Sequence, residues 1–229
     1  MSIHKVTAYI TRTGSDGLPQ LLVFRHPEAG VQLPAGTGED GETSESSVLR
    51  EAWEETGLSC LWLSCHLHTS TEQLPEGSHM LQATVRVLQE PSPFSDSLPV
   101  PMGGGMWVER MLRGATCRFV EADSTGDYAR VCFDLFEARD GELFLVTETY
   151  GWVPAAALSR EVTRHHFHLR TTLETADAWL HDGDVPGCEL FWLSFAEASQ
   201  TLVPPQKLWL ESVIDRLEAA TVRDAAKSD

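Results

Sequence analysis

Apolar and polar residues alternate enough from Lys5 to Thr11 to predict a strand, and Gln20 to His26 reads as a second. Gly14 to Pro19 supplies the turn between them. Val31 to Gly38 is short and apolar, then Gly-rich. A helix is expected from about Thr43 to Thr56. Thr43 or Ser44 caps its start, and Gly57 provides the left-handed residue that ends it. Within it, Leu49, Ala52, Trp53 and Thr56 fall at i, i+3, i+4 and i+7, so they are expected to form one buried stripe. Leu58 to His68 and Met80 to Gln89 read as further strands.

The pattern then changes. Pro91 to Pro101 holds four prolines and runs into Gly103 to Gly105, a linker or boundary by composition. Short β segments follow: Met106 to Leu112, Ala115 to Glu121, Tyr128 to Ala138 and Glu142 to Tyr150, with Asp140-Gly141 as a tight-turn signal. Strands at this spacing suggest a small barrel. Beyond about Arg160, His165 to Thr171 and Cys188 to Leu193 are strand-like. Leu210, Val213, Ile214 and Leu217 are spaced for one face of a terminal helix entered at Pro204-Pro205, and the polar tail after Ala220 is expected to fray. No repeat long enough for a solenoid is present.

Composition narrows the function classes. Hydrophobic residues make up 42% of the 229, enough to build a core. The formal net charge is -17, from 34 acids against 17 bases. Such a surface repels phosphate backbones, so nucleic acid is not expected as a partner, and an anionic substrate needs local help such as a metal ion. Five cysteines, with no C-x-x-C pair, suggest reduced thiols in a cytoplasmic protein rather than a disulfide framework. Met1 to Tyr9 lacks the basic-then-apolar run of a signal peptide, and no apolar stretch has the length of a membrane span.

The chemistry concentrates in Gly36 to Leu58, GTGEDGETSESSVLREAWEETGL. Glu51, Glu54 and Glu55 stand at i, i+3 and i+4, so their carboxylates share one helix face. A solvated acidic face is the bland reading, but it does not explain why the acids cluster instead of alternating with bases. Three oxygen ligands there suit a hard cation, Mg²⁺ or Mn²⁺, which neutralises phosphate charge and activates water. Arg25, with His26 at the end of a strand leading into this segment, is a candidate phosphate clamp or an ordinary surface arginine. His66-x-His68 and His166-x-His168 lack a third ligand with a reason to be near, so zinc is not expected. Gly36-x-Gly38 lacks the lysine of a phosphate-binding loop, and no G-x-S-x-G elbow occurs.

The segment resembles the Nudix box, G-x5-E-x7-R-E-U-x-E-E-x-G-U, with U a bulky aliphatic residue. The matching residues are Gly36, Glu42, Arg50, Glu51, Glu54, Glu55, Gly57 and Leu58. Ala52 stands where the family prefers Ile, Leu or Val, and Trp53 is a candidate to fill the space. The resemblance implies that Glu51, Glu54 and Glu55 are metal ligands, that Gly36 begins the loop whose backbone approaches the metal, that Arg50 braces the carboxylates, and that Glu42 supports the loop-helix unit. It implies attack of water on phosphorus. Glu54 or Glu55 is the general base, or a loop acid such as Glu174 or Asp182 is.

RHHFHLR near residue 164 and ELFWLSFAEA near residue 189 look like later strands of a Nudix sheet. Gly151-Trp152-Val153-Pro154 followed by Ala155-Ala156-Ala157-Leu158 looks like the end of a Src-homology-three-like barrel. The expected fold is thus an α/β/α sandwich around a mixed sheet, residues 1–95 and 162–229, with a small β-barrel inserted at 103–160. The expected substrate is a small nucleoside diphosphate derivative such as ADP-ribose or a nucleotide sugar; Pro75 stands near the place of a proline found in some ADP-ribose-cleaving members. A homodimer is a further expectation. A binding module without catalysis, or a scaffold that grips a partner through the inserted barrel, would be the readings from other classes.

Overall fold

The computed structural model describes residues 3–27, 29–102, 106–139, 142–171, 174–183 and 186–225. Asp140-Gly141 and Gly103 to Gly105 lie outside the described residues. In chain order come β1 (Ile3–Thr13), β2 (Pro19–His26), β3 (Gly30–Gln32), β4 (Ala35–Thr37) and helix α1 (Ser44–Thr56). Then follow β5 (Leu61–Gln73), β6 (Ser78–Leu81), β7 (Val85–Arg86), β8 (Val100–Pro101), β9 (Trp107–Val108) and β10 (Arg110–Met111). Next are β11 (Thr116–Ala122), β12 (Tyr128–Arg139), β13 (Glu142–Pro154) and β14 (Leu158–Ser159). The chain ends with β15 (Glu161–Thr171), β16 (Ala178–His181), β17 (Cys188–Leu193), α2 (Phe195–Thr201) and α3 (Pro204–Ala225).

Two compact units are present: Met1–Ile3 with Thr71–Thr163, and His4–Ser70 with Arg164–Asp229. The boundaries fall within β1, within β5 and within β15.

The second unit is built on the sheet β16-β17-β2-β1-β15-β5, with β3 paired to β2 and β4 to β1. Its two faces follow from strand alternation. Val6, Ala8 and Ile10 of β1, with Leu22 and Phe24 of β2, pack against Val48 and Ala52 of α1. Tyr9, Leu21 and Val23 point the other way, against Ala198 of α2 and Leu210, Val213 and Leu217 of α3. The pairings of β2 with β1, β3 and β17, of β4 with β1 and of β16 with β17 are antiparallel, yet the side-chain bonds between β1 and β15 keep a constant offset of 157 residues at Thr7, Tyr9 and Thr11. A constant offset means that these two strands run in the same direction, so the sheet is mixed. Helices on both faces of a mixed sheet make this unit an α/β layer structure.

Helix α1 starts and stops where the residues dictate. Thr43 accepts from the Ser46 amide and Ser46 reciprocates, a capping box, while Gly57 takes φ 72° at the other end. The buried stripe differs from expectation. Val48, Ala52 and Thr56 are buried, but Trp53 is 55% exposed and does not fill the space beside Ala52. The stripe runs along i, i+4 and i+8, and Trp53, one residue or about 100° further round, points to solvent. Helix α3 also continues to Ala225, past the Ala220 where fraying is expected.

The first unit holds the five-stranded sheet β13-β12-β11-β6-β14 and the short pairs β7-β10 and β8-β9. Its core is formed by Leu81, Val87, Val100, Met111, Val131, Phe133 and Val153, among others. The strand expected over Met80 to Gln89 is broken into β6 and β7. The Leu81 amide bonds to Ala115 and the Gln82 amide to Ala157, after which the chain leaves the sheet and pairs with β10. Met106 to Leu112 likewise divides into β9 and β10, which pair with different partners. Ala155–Ala157 forms a 3₁₀ turn between β13 and β14. Closure of the sheet into a barrel is not among the pairings of the described residues.

Candidate active site

Strand β4 is laid against β1, with Val6 opposite Gly36 and Lys5 opposite Thr37. This places a three-residue stretch of backbone over the C-terminal half of α1. Two amides of that stretch point at the helix acids: Ala35 N–H donates to Glu55 Oε2 at 2.8 Å, and Thr37 N–H donates to Glu51 Oε1 at 3.0 Å. Gly36 lies between them. A Cβ at this position would sit 1.9–2.2 Å from the Glu51 carboxyl group, so only glycine admits the close approach.

Arg50 is the hub. Its Nε and Nη2 make a two-pronged contact with Glu42, both at 3.0 Å. Its Nη1 donates to Glu51 at 3.0 Å and to Glu54 at 2.8 Å, and Nη2 reaches the Thr37 carbonyl at 3.1 Å. Glu42 also accepts from the Glu39 amide and the Ser47 hydroxyl. The hydrogen bonds from Arg50, with those other donors, hold the Glu42 carboxyl down at about 2. Glu51 differs. Burial pushes its pKa above the ordinary carboxylate value, opposed by Arg50.

The donor set fits a hard divalent cation. Glu51 commits Oε1 and Glu54 commits Oε2, while Glu51 Oε2 and Glu54 Oε1 make no hydrogen bond among the described residues. A buried carboxylate whose charged form is penalised is the kind of group that a cation relieves. The three glutamates do not bring one oxygen each within 4.8 Å of one another here; among the described residues only Cys132, Asp134 and Glu148 of the other unit do so. There the Arg118 guanidinium contacts all three, so one positive charge already offsets part of that gathering. Joint ligation by Glu51, Glu54 and Glu55 therefore requires side-chain rotation, which partly exposed glutamates allow.

The remaining expected residues are scattered. Arg25 is 57% exposed in its side chain and pairs with Glu189 at 3.2 Å on β17. Its guanidinium lies over the Phe191 ring. Glu174 lines a different cavity, with Arg12, Arg170 and Trp192. Asp182 accepts from the Gly187 amide at 2.9 Å. Burial, then the charges of Glu55 and Asp182, push the Cys188 thiol above its ordinary pKa.

Sequence reasoning missed the support at the far end of α1. Trp179 Nε1–H donates to the Thr56 carbonyl at 3.2 Å, and His181 Nε2 bonds to the Glu54 carbonyl at 2.8 Å. Two of the last carbonyls of α1 thus find side-chain donors. A Cβ on Gly183 would lie 2.4 Å from the Glu54 carbonyl oxygen. No local pattern in 178–183 announces this, because the pairing partner is more than a hundred residues away.

A NUDIX domain model matches residues 3–99. No curated protein matches the chain. Among solved structures, a NUDIX hydrolase from Listeria monocytogenes aligns at 15% identity and TM-score 0.39, covering 94% of each chain. An Ap4A hydrolase from C. elegans aligns at 12% and 0.38, covering 96% of this chain and 98% of the other. The Nudix hydrolase RenU from M. smegmatis aligns at 14% and 0.39, covering 96% and 86%. At these scores the likenesses carry no inference about substrate. No helix among the described residues is long and apolar enough to cross a membrane.

Proposed function

We propose that this chain, a hydrolase of phosphorus-containing anhydrides that carries a NUDIX domain at residues 3–99, cleaves a nucleoside diphosphate linked to a further group. The products would be a nucleoside monophosphate and a phosphorylated remainder, with ADP-ribose and nucleotide sugars as the first substrates to try. The observation that carries this reading is the clamp on the helix acids: two backbone amides and Arg50 fix Glu51, Glu54 and Glu55 beside a glycine whose missing side chain leaves the space clear.

The residues divide the work. Glu51, Glu54 and Glu55, with the Gly36 backbone, would hold Mg²⁺ or Mn²⁺. When bound, the ion supplies charge neutralisation at the phosphate oxygens and a more acidic water. Arg50 keeps three acids apart in fixed directions and cannot itself give up its proton, since Glu42 raises its pKa further. Glu54 or Glu55 takes the proton of the water that attacks phosphorus. Arg25 remains a candidate for a distal phosphate, which it would have to reach from its pairing with Glu189. The inserted segment at 103–160 is proposed as a small barrel.

A panel of nucleoside diphosphate derivatives with Mg²⁺ and Mn²⁺ tests the class, and hydrolysis in ¹⁸O water tests the bond. The label is expected in a phosphate-bearing product. Label confined to a product without phosphate would reject attack on phosphorus.

A further inference from the structure

We propose that a cleft at the far end of the sheet from the acid clamp is a second small-molecule site, one that takes a hydroxyl-bearing monocarboxylate with its carboxylate on Arg170. The site stands apart from the hydrolase reading. The cleft has a volume of about 690 Å³ and is lined by Arg12, Thr13, Gln20, Arg170, Glu174 and Trp192, among others. A smaller cavity of about 160 Å³ shares Arg12, Thr13 and Arg170 with it. Its place follows from strand direction. β1 meets β4 from Lys5 to Thr7, beside the clamp, and reaches the cleft only at Arg12. Roughly 20 Å of strand therefore separates the two, at about 3.3 Å per residue. Arg25 lies toward the opposite end of β2 from Gln20.

The two arginines of the cleft are used differently. Arg12 is committed to the wall. Its Nε donates to Gln20 at 2.8 Å, Nη1 to the Thr175 carbonyl and hydroxyl at 3.1 Å, and Nη2 to Asp177 at 2.6 Å, with the guanidinium 4.6 Å from the centroid of the Trp192 ring. Arg170 is not committed. Its side chain is 20% exposed, and among the described residues its guanidinium makes no hydrogen bond. Asp224 stands 3.9 Å away, beyond hydrogen-bond range, through an oxygen that already accepts from Ser64. A mostly covered guanidinium with open donors, on a cleft of ligand size, suits a carboxylate. Charge selects a monoanion. Arg12 and Arg170 are balanced by Glu174 and Asp177, so a carboxylate leaves the lining with one net negative charge and a phosphate dianion with two. On a chain at -17 the second charge is costly. Thr13, Ser15 and Gln20 line the rest and offer partners to ligand hydroxyls. The structural alternative is a water-filled cleft in which Arg170 is solvated and merely steadies Asp224.

The test is calorimetric titration of the full chain with sodium gluconate, a hydroxyl-bearing monocarboxylate, in low-salt buffer with EDTA, and separately with inorganic phosphate. Gluconate is expected to saturate one site, and phosphate to bind more weakly. Arg170→Gln should weaken gluconate about tenfold or more by removing a charge-assisted fork, and Arg170→Lys by less. Melting curves establish which variants fold. If Arg170→Gln does not fold, Glu174→Gln decides, since loss of an acid from the lining should tighten gluconate severalfold at low salt. No saturable gluconate binding overturns the site. So does equal binding by a folded Arg170→Gln chain, or by Glu174→Gln where that variant decides. Phosphate bound more tightly than gluconate overturns the carboxylate assignment.

Discussion

The Tyr9 hydroxyl lies 3.1 Å from Nδ1 of His166, both in the interior of the sheet's α3 face. The pair is one rung of a buried polar ladder, with Thr7–Arg164 on one side and Thr11–His168 at 2.7 Å on the other. Ser70 adds a contact to the second nitrogen of His166 at 3.3 Å. Each rung gives a buried polar side chain a hydrogen-bond partner across the two strands. The arrangement fixes the relation between two strands that are far apart in sequence.

The ladder makes stability depend on pH. Burial, then the charge of Arg164, lowers His166 to about 3; burial lowers His168 to about 4, against the pull of Asp224. Both folded values are depressed below the ordinary histidine value. Above about pH 6.5 neither state carries these protons and the sites cost nothing. As pH falls from there toward 4, the unfolded chain binds protons that the folded sites refuse, so stability is lost. Each site contributes a slope of at most about 1.4 kcal/mol per pH unit in that window. Melting temperatures between pH 4.5 and 7 should rise with pH, and His166→Gln should flatten the curve. An equal slope in that folded variant would remove His166 as the cause.

Gly36→Ala should damage the clamp directly. The added methyl group must displace the Glu51 carboxyl or the β4 backbone. We expect a stability loss of about 1–3 kcal/mol from overpacking, and a much larger proportional loss of turnover. A circular-dichroism melt and a rate measurement on one preparation separate the two. Normal turnover would show that the Gly36 approach is not needed.

Glu54→Gln keeps shape and removes one charge, so turnover should fall by orders of magnitude in a protein that still folds. Millimolar Mg²⁺ should raise the melting temperature of the unmodified chain, because ligand that binds only the folded state stabilises it. A melting curve indifferent to Mg²⁺ and Mn²⁺ counts against a shared ion.

Arg50→Ala would leave Glu42, Glu51 and Glu54 together without their common cation. The expected loss is about 2–4 kcal/mol, below the fully buried case because water screens part of the repulsion. Mg²⁺ should then rescue the variant by more degrees than it stabilises the unmodified chain. An equal shift in both proteins would mean that the metal and Arg50 do not act on the same acids.

Much of this site could be read from residues 36–58 because the relevant partners are local. Thr43, Gly57 and the acids of α1 act within one helix, and Arg50 reaches Glu42 only eight residues away. Trp53 was misplaced for a related reason. Spacing at i, i+3, i+4 and i+7 admits more than one stripe, and only the sheet beneath decides that Val48, Ala52 and Thr56 form the buried one. Trp179 and His181 stayed invisible because strand order, not local pattern, brings them to the end of α1. A strand edge carries no mark in sequence of the neighbour it will pair with. The short strand β16 and helix α2 were missed as elements because each is too brief to show a period.

The last prediction concerns the segment between β5 and β15. The Leu74 amide donates to the Arg160 carbonyl at 2.8 Å, and Gln73 bonds Glu161 at 3.2 Å, so the chain leaves and returns at neighbouring points. That is the geometry of an insertion that a host fold tolerates losing. Replacing residues 75–159 by a short Gly-Ser linker should leave a protein that melts cooperatively and still gains stability from Mg²⁺. It removes a core of its own, formed by Leu81, Val87, Val131 and Val153. If its strands instead complete the host sheet, the deletion exposes unpaired backbone and the product should aggregate. Size-exclusion chromatography and circular dichroism of the variant distinguish these outcomes. A molten or insoluble product would reject the independent insertion and leave the Arg50 clamp untouched, because every contact of that clamp lies between Ala35 and Glu55.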